Sequence, residues 1–158
     1  MRLPVLTALA IALTTAGCDA PAGRDNAATA TPQMLSVTDT IVQLPAVPGR
    51  PGAAYFTLRA GAEPVRLTSV SSDRVERIEL HQTRMEGDVM RMEPLADGSV
   101  PANGSLVFEQ GGRHAMLFGI APALKAGETL ALTFTFESGE TIDTQAQVRA
   151  FGGGDEGH

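Results

Sequence analysis

Methionine and histidine are concentrated in one stretch of the chain, residues 81–116. Four of the six methionines and two of the three histidines lie there: Met85, Met90, Met92, Met116, His81 and His114. Thioether sulfur and imidazole nitrogen together suit a soft metal ion, above all Cu(I). Zn²⁺ sites normally use Cys, His and carboxylates, and Ca²⁺ and Mg²⁺ require oxygen ligands. The residue types therefore predict a Cu(I) site in this stretch.

His114 and Met116 are two residues apart on a predicted strand. Because side chains alternate along a strand, both should project from the same face, with Cα atoms about 6.6–6.8 Å apart. That spacing lets an imidazole and a thioether bind one ion. Ala115 should point the other way, towards the core.

His81 and Met92 lie on the two arms of a predicted β-hairpin. A four-residue loop at 85–88 would set Arg84 opposite Val89, and would then set His81 opposite Met92. Opposite residues in an antiparallel pair project to the same side, with Cβ atoms about 4.5–5.5 Å apart. This register predicts a second His/Met pair, and a slip of one residue would undo it.

Each of these residues also has an ordinary structural interpretation. Methionine is a common filler of protein cores, and a single histidine is more often a hydrogen-bonded structural group than a ligand. Alternation favours the ligand interpretation for His114 and Met116, which share their predicted face with Phe118. Met85 and Met90 are predicted to be spare or auxiliary residues. The chain has no cysteine after Cys18, which argues against a blue-copper electron carrier, since that site needs a thiolate.

The spacing His81-x10-Met92-x21-His114-x-Met116 resembles the signature of the periplasmic copper chaperones called PCuAC. The resemblance covers roughly residues 36–150. It implies a cupredoxin-like β-sandwich that binds Cu(I) through these four side chains. It also implies delivery of copper towards the binuclear copper centre of cytochrome c oxidase. Ala115 and Phe118 depart slightly from the family, whose members often carry bulkier residues or Met at these positions.

Short segments with strand patterns alternate with turns rich in Gly and Pro, of which the chain has 17 and 10. The pattern predicts an all-β fold, an antiparallel Greek-key β-sandwich or barrel. Nine strands are predicted, at residues 36–44, 53–60, 65–70, 75–83, 89–95, 105–110, 113–120, 130–136 and 141–148.

The amino-terminal region carries the features of an exported, lipid-anchored protein. Residues 1–17 have the short positive start and the 11-residue apolar run of a secretory signal. Ala16-Gly17-Cys18 resembles the bacterial lipobox, in which Cys18 would carry lipid. Residues 18–35 are predicted to be a flexible linker, 36–150 the copper-binding domain and 151–158 a disordered tail. The expected location is the periplasmic side of a bacterial membrane, with the lipid anchor in the inner membrane. The alternative is a soluble protein of the periplasm.

Charge and composition narrow the functional classes. The net charge of −6 and an aromatic content of 4% argue against nucleic-acid binding. No Ser/His/Asp set or pair of carboxylates suggests an enzyme. The favoured function is a Cu(I) chaperone whose partner is a copper acceptor, either the copper subunit of cytochrome oxidase or its assembly factor. Two alternatives stay open: copper storage or detoxification, and a β-sandwich interaction module that binds no metal.

Overall fold

The computed structural model describes residues 34–152, and all of their regular structure is β-strand. The predicted signal peptide, Cys18, most of the predicted linker and residues 153–158 lie outside the described residues. Among residues 34–152, no helix is long and apolar enough to cross a membrane. Ten strands are present: β1 Ser36–Gln43, β2 Gly52–Arg59, β3 Val65–Ser71, β4 Val75–Glu86, β5 Val89–Pro94, β6 Ser99–Val100, β7 Ser105–Phe108, β8 Arg113–Ile120, β9 Thr129–Phe136 and β10 Thr141–Arg149.

Alternating apolar residues form the strands as the sequence predicts. In β9, Leu130, Leu132, Phe134 and Phe136 are buried, and the threonines between them face outward. This period of two is that of a strand with one face on a core. The apolar alternation of β9 therefore decides which face of the strand meets the rest of the domain.

The strands form one continuous hydrogen-bonded path in the order β5-β4-β8-β2-β1-β10-β9-β3-β6, and β7 also pairs with β2. The pairs are antiparallel except β1 with β10, which is parallel. The path folds back on itself, because Phe56 of β2 packs edge-on against Phe134 of β9, with ring centroids 4.7 Å apart. The predicted all-β sandwich is confirmed.

Two features of the fold were not predicted from the sequence. The two-residue strand β6 pairs with β3 and was too short to leave a pattern in the sequence. The pairing of β1 with β2 shifts between Thr38 and Ile41, where Asp39 has a positive φ of 54°. An extra residue of this kind bends a strand locally.

Strands β5, β4 and β8 lie at one end of the path. One face of β8 packs on the hydrophobic core, and the other face carries the predicted ligands. Ala115 and Leu117 are fully buried in the core. His114 and Met116 therefore project from the opposite face of the sheet. The predicted core-facing position of Ala115 is confirmed.

Candidate metal centre

The hairpin between β4 and β5 is tighter than predicted. Glu86 pairs with Val89, so the turn consists of Gly87 and Asp88 alone. Gly87 has a φ of 64°, and Asp88 is not among the residues with positive φ. A positive φ at the first turn residue only is the pattern of a type II′ turn, which favours Gly there. The predicted four-residue loop at 85–88 is wrong.

The tighter turn changes the partner of His81. His81 lies opposite Pro94, and Met92 lies opposite Thr83, so the predicted direct pairing of His81 with Met92 is wrong. The observed register differs from the predicted one by two residues, which is one full period of a strand. Each side chain therefore still projects from its predicted face of the hairpin. Met92 is a diagonal neighbour of His81 on the same face, at a typical separation of about 7–8 Å.

The strand on the other side of β4 supplies the nearest partner of His81. His81 lies directly opposite His114 in the β4–β8 pair, and Glu79 lies opposite Met116. The two imidazole rings are stacked, with centroids 6.1 Å apart and planes 27° apart. The sequence did not predict this pairing, because it joins β4 to a strand that is distant in the chain and no local pattern indicates it.

A hydrogen bond to the backbone of Gly112 orients the ring of His114. Its side chain is 7% exposed, and its Nδ1 lies 3.1 Å from the carbonyl oxygen of Gly112. A carbonyl oxygen only accepts, so Nδ1–H is the donor, and Nε2 is the nitrogen through which this ring could bind a metal ion. A metal-binding histidine is commonly oriented by such a hydrogen bond.

His81 has the opposite arrangement of its two nitrogens. Its Nε2 lies 3.2 Å from a carboxylate oxygen of Glu79, and its Nδ1 is buried with no hydrogen-bond partner. If Nε2–H donates to the carboxylate, the lone pair on Nδ1 is available to a metal ion. A buried polar atom without a partner is unusual, and a bound ion would satisfy it.

Glu79 is a functional candidate that the sequence analysis missed. It also forms an ion pair with Arg77 at 2.8 Å, and the guanidinium of Arg77 lies 4.5 Å from the ring centroid of Phe118. The available signal was its position two residues before His81 on the same strand face. Glu79 links the orientation of His81 to side chains along that face.

Three of the four predicted ligands line one cleft of about 410 Å³: Met92, His114 and Met116. His81 is not among the lining residues of this cleft. It lies next to the other three predicted ligands because its ring stacks on that of His114. Met116 is partly buried, and Met92 is 55% exposed. The structure therefore places all four on one face, with Met92 the most exposed.

The far wall of the cleft comes from the segment between β1 and β2, including Pro45, Val47 and Arg50, and from Phe151. Tyr55 also lines it, and burial raises the pKa of this tyrosine, so its hydroxyl stays neutral. Within residues 34–152, no group of three or more His, Cys, Asp or Glu lies where it could hold a metal ion. Two imidazoles flanked by thioethers are the donors that this face offers, and they suit a soft ion.

Residues 35–148 match the family described as "Putative lipoprotein LpqE-like". The chain belongs to the LpqE-like family. Two curated relatives are "Putative lipoprotein Lxx21020" of Leifsonia xyli subsp. xyli, 27% identical over 99 residues, and "Uncharacterized protein RP573" of Rickettsia prowazekii, 33% identical over 87 residues. The matches cover 62% and 54% of this chain. They span 60% of the Leifsonia protein and 48% of the Rickettsia protein.

Solved structures of PCuAC domains share the fold. The copper-bound PCuAC domain from PmoF2 is similar with a TM-score of 0.60 and 18% identity, over 75% of this chain and 95% of that domain. The Cu(I) form of DR1885 from Deinococcus radiodurans is similar with a TM-score of 0.55 and 30% identity, over 77% of this chain and 83% of that protein. The predicted membership of the PCuAC family and the cupredoxin-like β fold are confirmed.

Proposed function

We propose that this LpqE-like domain is an extracytoplasmic Cu(I) carrier, with His81, Met92, His114 and Met116 as its ligands. The observation that carries the proposal is the stacked pair His81 and His114, in which each ring has one nitrogen engaged and the other free. Half-buried and exposed thioethers lie beside this pair on the same face. Copper is named in the descriptions of the PmoF2 and DR1885 structures, which supports the choice of ion.

The four ligands differ in how readily they would release copper. His114 and Met116 lie on β8, which is paired on both sides, whereas Met92 lies on the edge strand β5. Two strand spacings separate β5 from β8, about 10 Å across the sheet. Met92 is therefore the ligand that an acceptor displaces first. A thiolate-bearing acceptor could take its place before the histidines dissociate, since softer and stronger ligands favour Cu(I).

The proposal includes a membrane anchor and a direction of transfer. The family and the Leifsonia relative are named as lipoproteins, which supports lipidation of Cys18, a residue outside the described part of the chain. Residues 18–35 would then hold the carrier near membrane-bound acceptors, which raises its effective concentration there. The acceptor that we propose is the copper subunit of cytochrome oxidase or its assembly factor, reached from the periplasmic side of the inner membrane.

Titration with Cu(I) in the presence of a competing chelator tests binding. The wild-type protein should hold one tightly bound Cu(I) in the His/Met site, and replacing both Met92 and Met116 by Leu should weaken that binding. Leucine preserves side-chain volume, so the fold should survive. Unchanged affinity in the double variant would reject the proposed ligand set.

Delivery needs a separate experiment in cells. Deleting the gene and limiting copper should lower the copper content of cytochrome oxidase, and expression of the wild-type chain should restore it. The Met92/Met116 double variant should fail to restore it. Normal copper loading in the deletion strain would exclude delivery to the oxidase as the essential role and would favour storage.

A further inference from the structure

The two faces of the β4–β5 hairpin differ in chemistry. One face carries side chains that pair with each other, including Arg84 with Glu93 at 2.8 Å and Arg91 with Glu86 at 2.6 Å. The other face carries three thioethers: Met85, Met90 and Met92. Residues 84–92 are all exposed, so neither face of this part of the hairpin is covered by the core.

The three methionines are among the most exposed large apolar side chains of the described residues. Met85 is 61% exposed, Met90 63% and Met92 55%. A group of exposed apolar residues on one face, beside a face that carries charged side chains and Val89, indicates an interaction rather than packing. Hydrophobic burial cannot explain why this face carries methionine.

The register places the three methionines next to one another on one face. Met85 lies directly opposite Met90, a position at which Cβ atoms are about 4.5–5.5 Å apart. Met92 is two residues beyond Met90 and projects from the same face. Flexible methionine side chains at this spacing can bring three sulfur atoms to one ion. The ion pairs on the opposite face favour this orientation of the hairpin.

We propose that Met85, Met90 and Met92 form a second Cu(I) site at the tip of the hairpin, built from thioethers alone. Thioether sulfur is uncharged and soft, so the site selects Cu(I) over Zn²⁺, Ca²⁺ and Mg²⁺. It lacks imidazole and is exposed, and it therefore binds more weakly than the His81–His114 site. The site goes beyond the proposed function and shares only Met92 with it. When both ions are bound, Met92 stays with the deeper ion, and Met85 and Met90 hold the ion at the tip.

Sharing Met92 gives the tip a role in loading the deeper site. Copper at the tip exchanges its bonds to Met85 and Met90 for bonds to the free nitrogens of the two histidines, while Met92 stays bound. Copper remains Cu(I) throughout, so the exchange needs no oxidant or reductant.

Methyl NMR of the full chain with ¹³C-labelled methionine tests this site, with silver nitrate as a redox-stable source of a soft monovalent ion. The first equivalent of Ag(I) should shift the methyl signals of Met92 and Met116, and the second should shift those of Met85 and Met90. Met34, which is 80% exposed and lies before β1, is the internal control and should not move. Unmoved signals of Met85 and Met90 after two equivalents would overturn the proposal.

A variant pair tests the same claim with copper. The wild-type protein should bind a second Cu(I) in competition with a weak chelator, and M85L/M90L should lose that second ion and keep the first. M34L is the matched control and should bind as the wild type does. A second ion retained by M85L/M90L would contradict the tip site. Shifts at Met85 and Met90 without any at Met116 would uphold the tip site and reject the proposed His/Met site.

Discussion

Replacing Glu79 by Gln should weaken Cu(I) binding about tenfold while leaving the fold intact. The Glu79 carboxylate lies 3.2 Å from Nε2 of His81. The other ring nitrogen, Nδ1, is buried and has no hydrogen-bond partner. Groups that orient a metal-binding histidine typically change metal affinity by about 10–100-fold when mutated. The amide oxygen of Gln can still accept the hydrogen bond but carries no charge, so the lower end of that range is expected.

The expected loss in binding free energy is about 1.4 kcal/mol. The effect on stability should be smaller, because the Arg77–Glu79 pair is at the surface, with side chains 62% and 41% exposed. Such pairs contribute about 0–1 kcal/mol. Chemical denaturation of the apo-protein should therefore separate the loss in copper affinity from any loss in folding stability.

Glu93→Gln is the matched control. Glu93 is 43% exposed and pairs with Arg84 at 2.8 Å, much as Glu79 pairs with Arg77, but it projects from the opposite face of the hairpin. Chelator competition should give wild-type Cu(I) affinity for E93Q and a tenfold loss for E79Q. Equal affinities in the two variants would refute the idea that Glu79 positions His81.

Three further predictions follow from the fold and the site. M92L should release Cu(I) to a thiol acceptor faster than M116L does in stopped-flow transfer, since Met92 is on the exposed edge strand; equal rates would show that the two ligands leave alike. A115L should lower the free energy of unfolding by about 1–3 kcal/mol in urea, because Ala115 is fully buried and a larger side chain would have to displace its core neighbours; wild-type stability would contradict this packing. C18S should shift the protein from the membrane fraction to the soluble fraction of cells, and an unchanged distribution would argue against lipid anchoring through Cys18.

Alternation along single strands was the most predictable feature of the fold. Leu130, Leu132 and Phe134 were expected on one face and are buried together. His114 and Met116 were likewise placed on the face opposite Ala115. Each of these inferences depends only on the period of two within one strand, which the local sequence determines.

Pairing between strands was less predictable, because it depends on turn geometry and on distant segments. The hairpin partner of His81 was wrong by two residues, since Glu86 and Val89 extend the ladder and only Gly87-Asp88 remain as the turn. A Gly-Asp pair between two strand segments is itself a signal for a two-residue turn. The side-chain face was still right, because a shift of two preserves it.

The contact between His81 and His114 joins segments 33 residues apart in the chain. Neither segment contains a local signal for that pairing. The pairing follows only from the three-dimensional structure, in which β4 and β8 are neighbouring strands. The role of Glu79 was hidden for the same reason. Its proximity to His81 follows from strand alternation, but its significance appears only when the other nitrogen of the ring is seen to be buried and without a partner.

X-ray absorption spectroscopy at the copper edge of the protein loaded with one equivalent of Cu(I) tests the central claim most directly. The account predicts a Cu(I) edge and a mixed ligand shell of two imidazole nitrogens and two thioether sulfurs. The sulfur contribution should fall by half in M116L. A shell of nitrogen and oxygen alone, or a spectrum unchanged in M116L, would contradict the proposed site of His81, Met92, His114 and Met116.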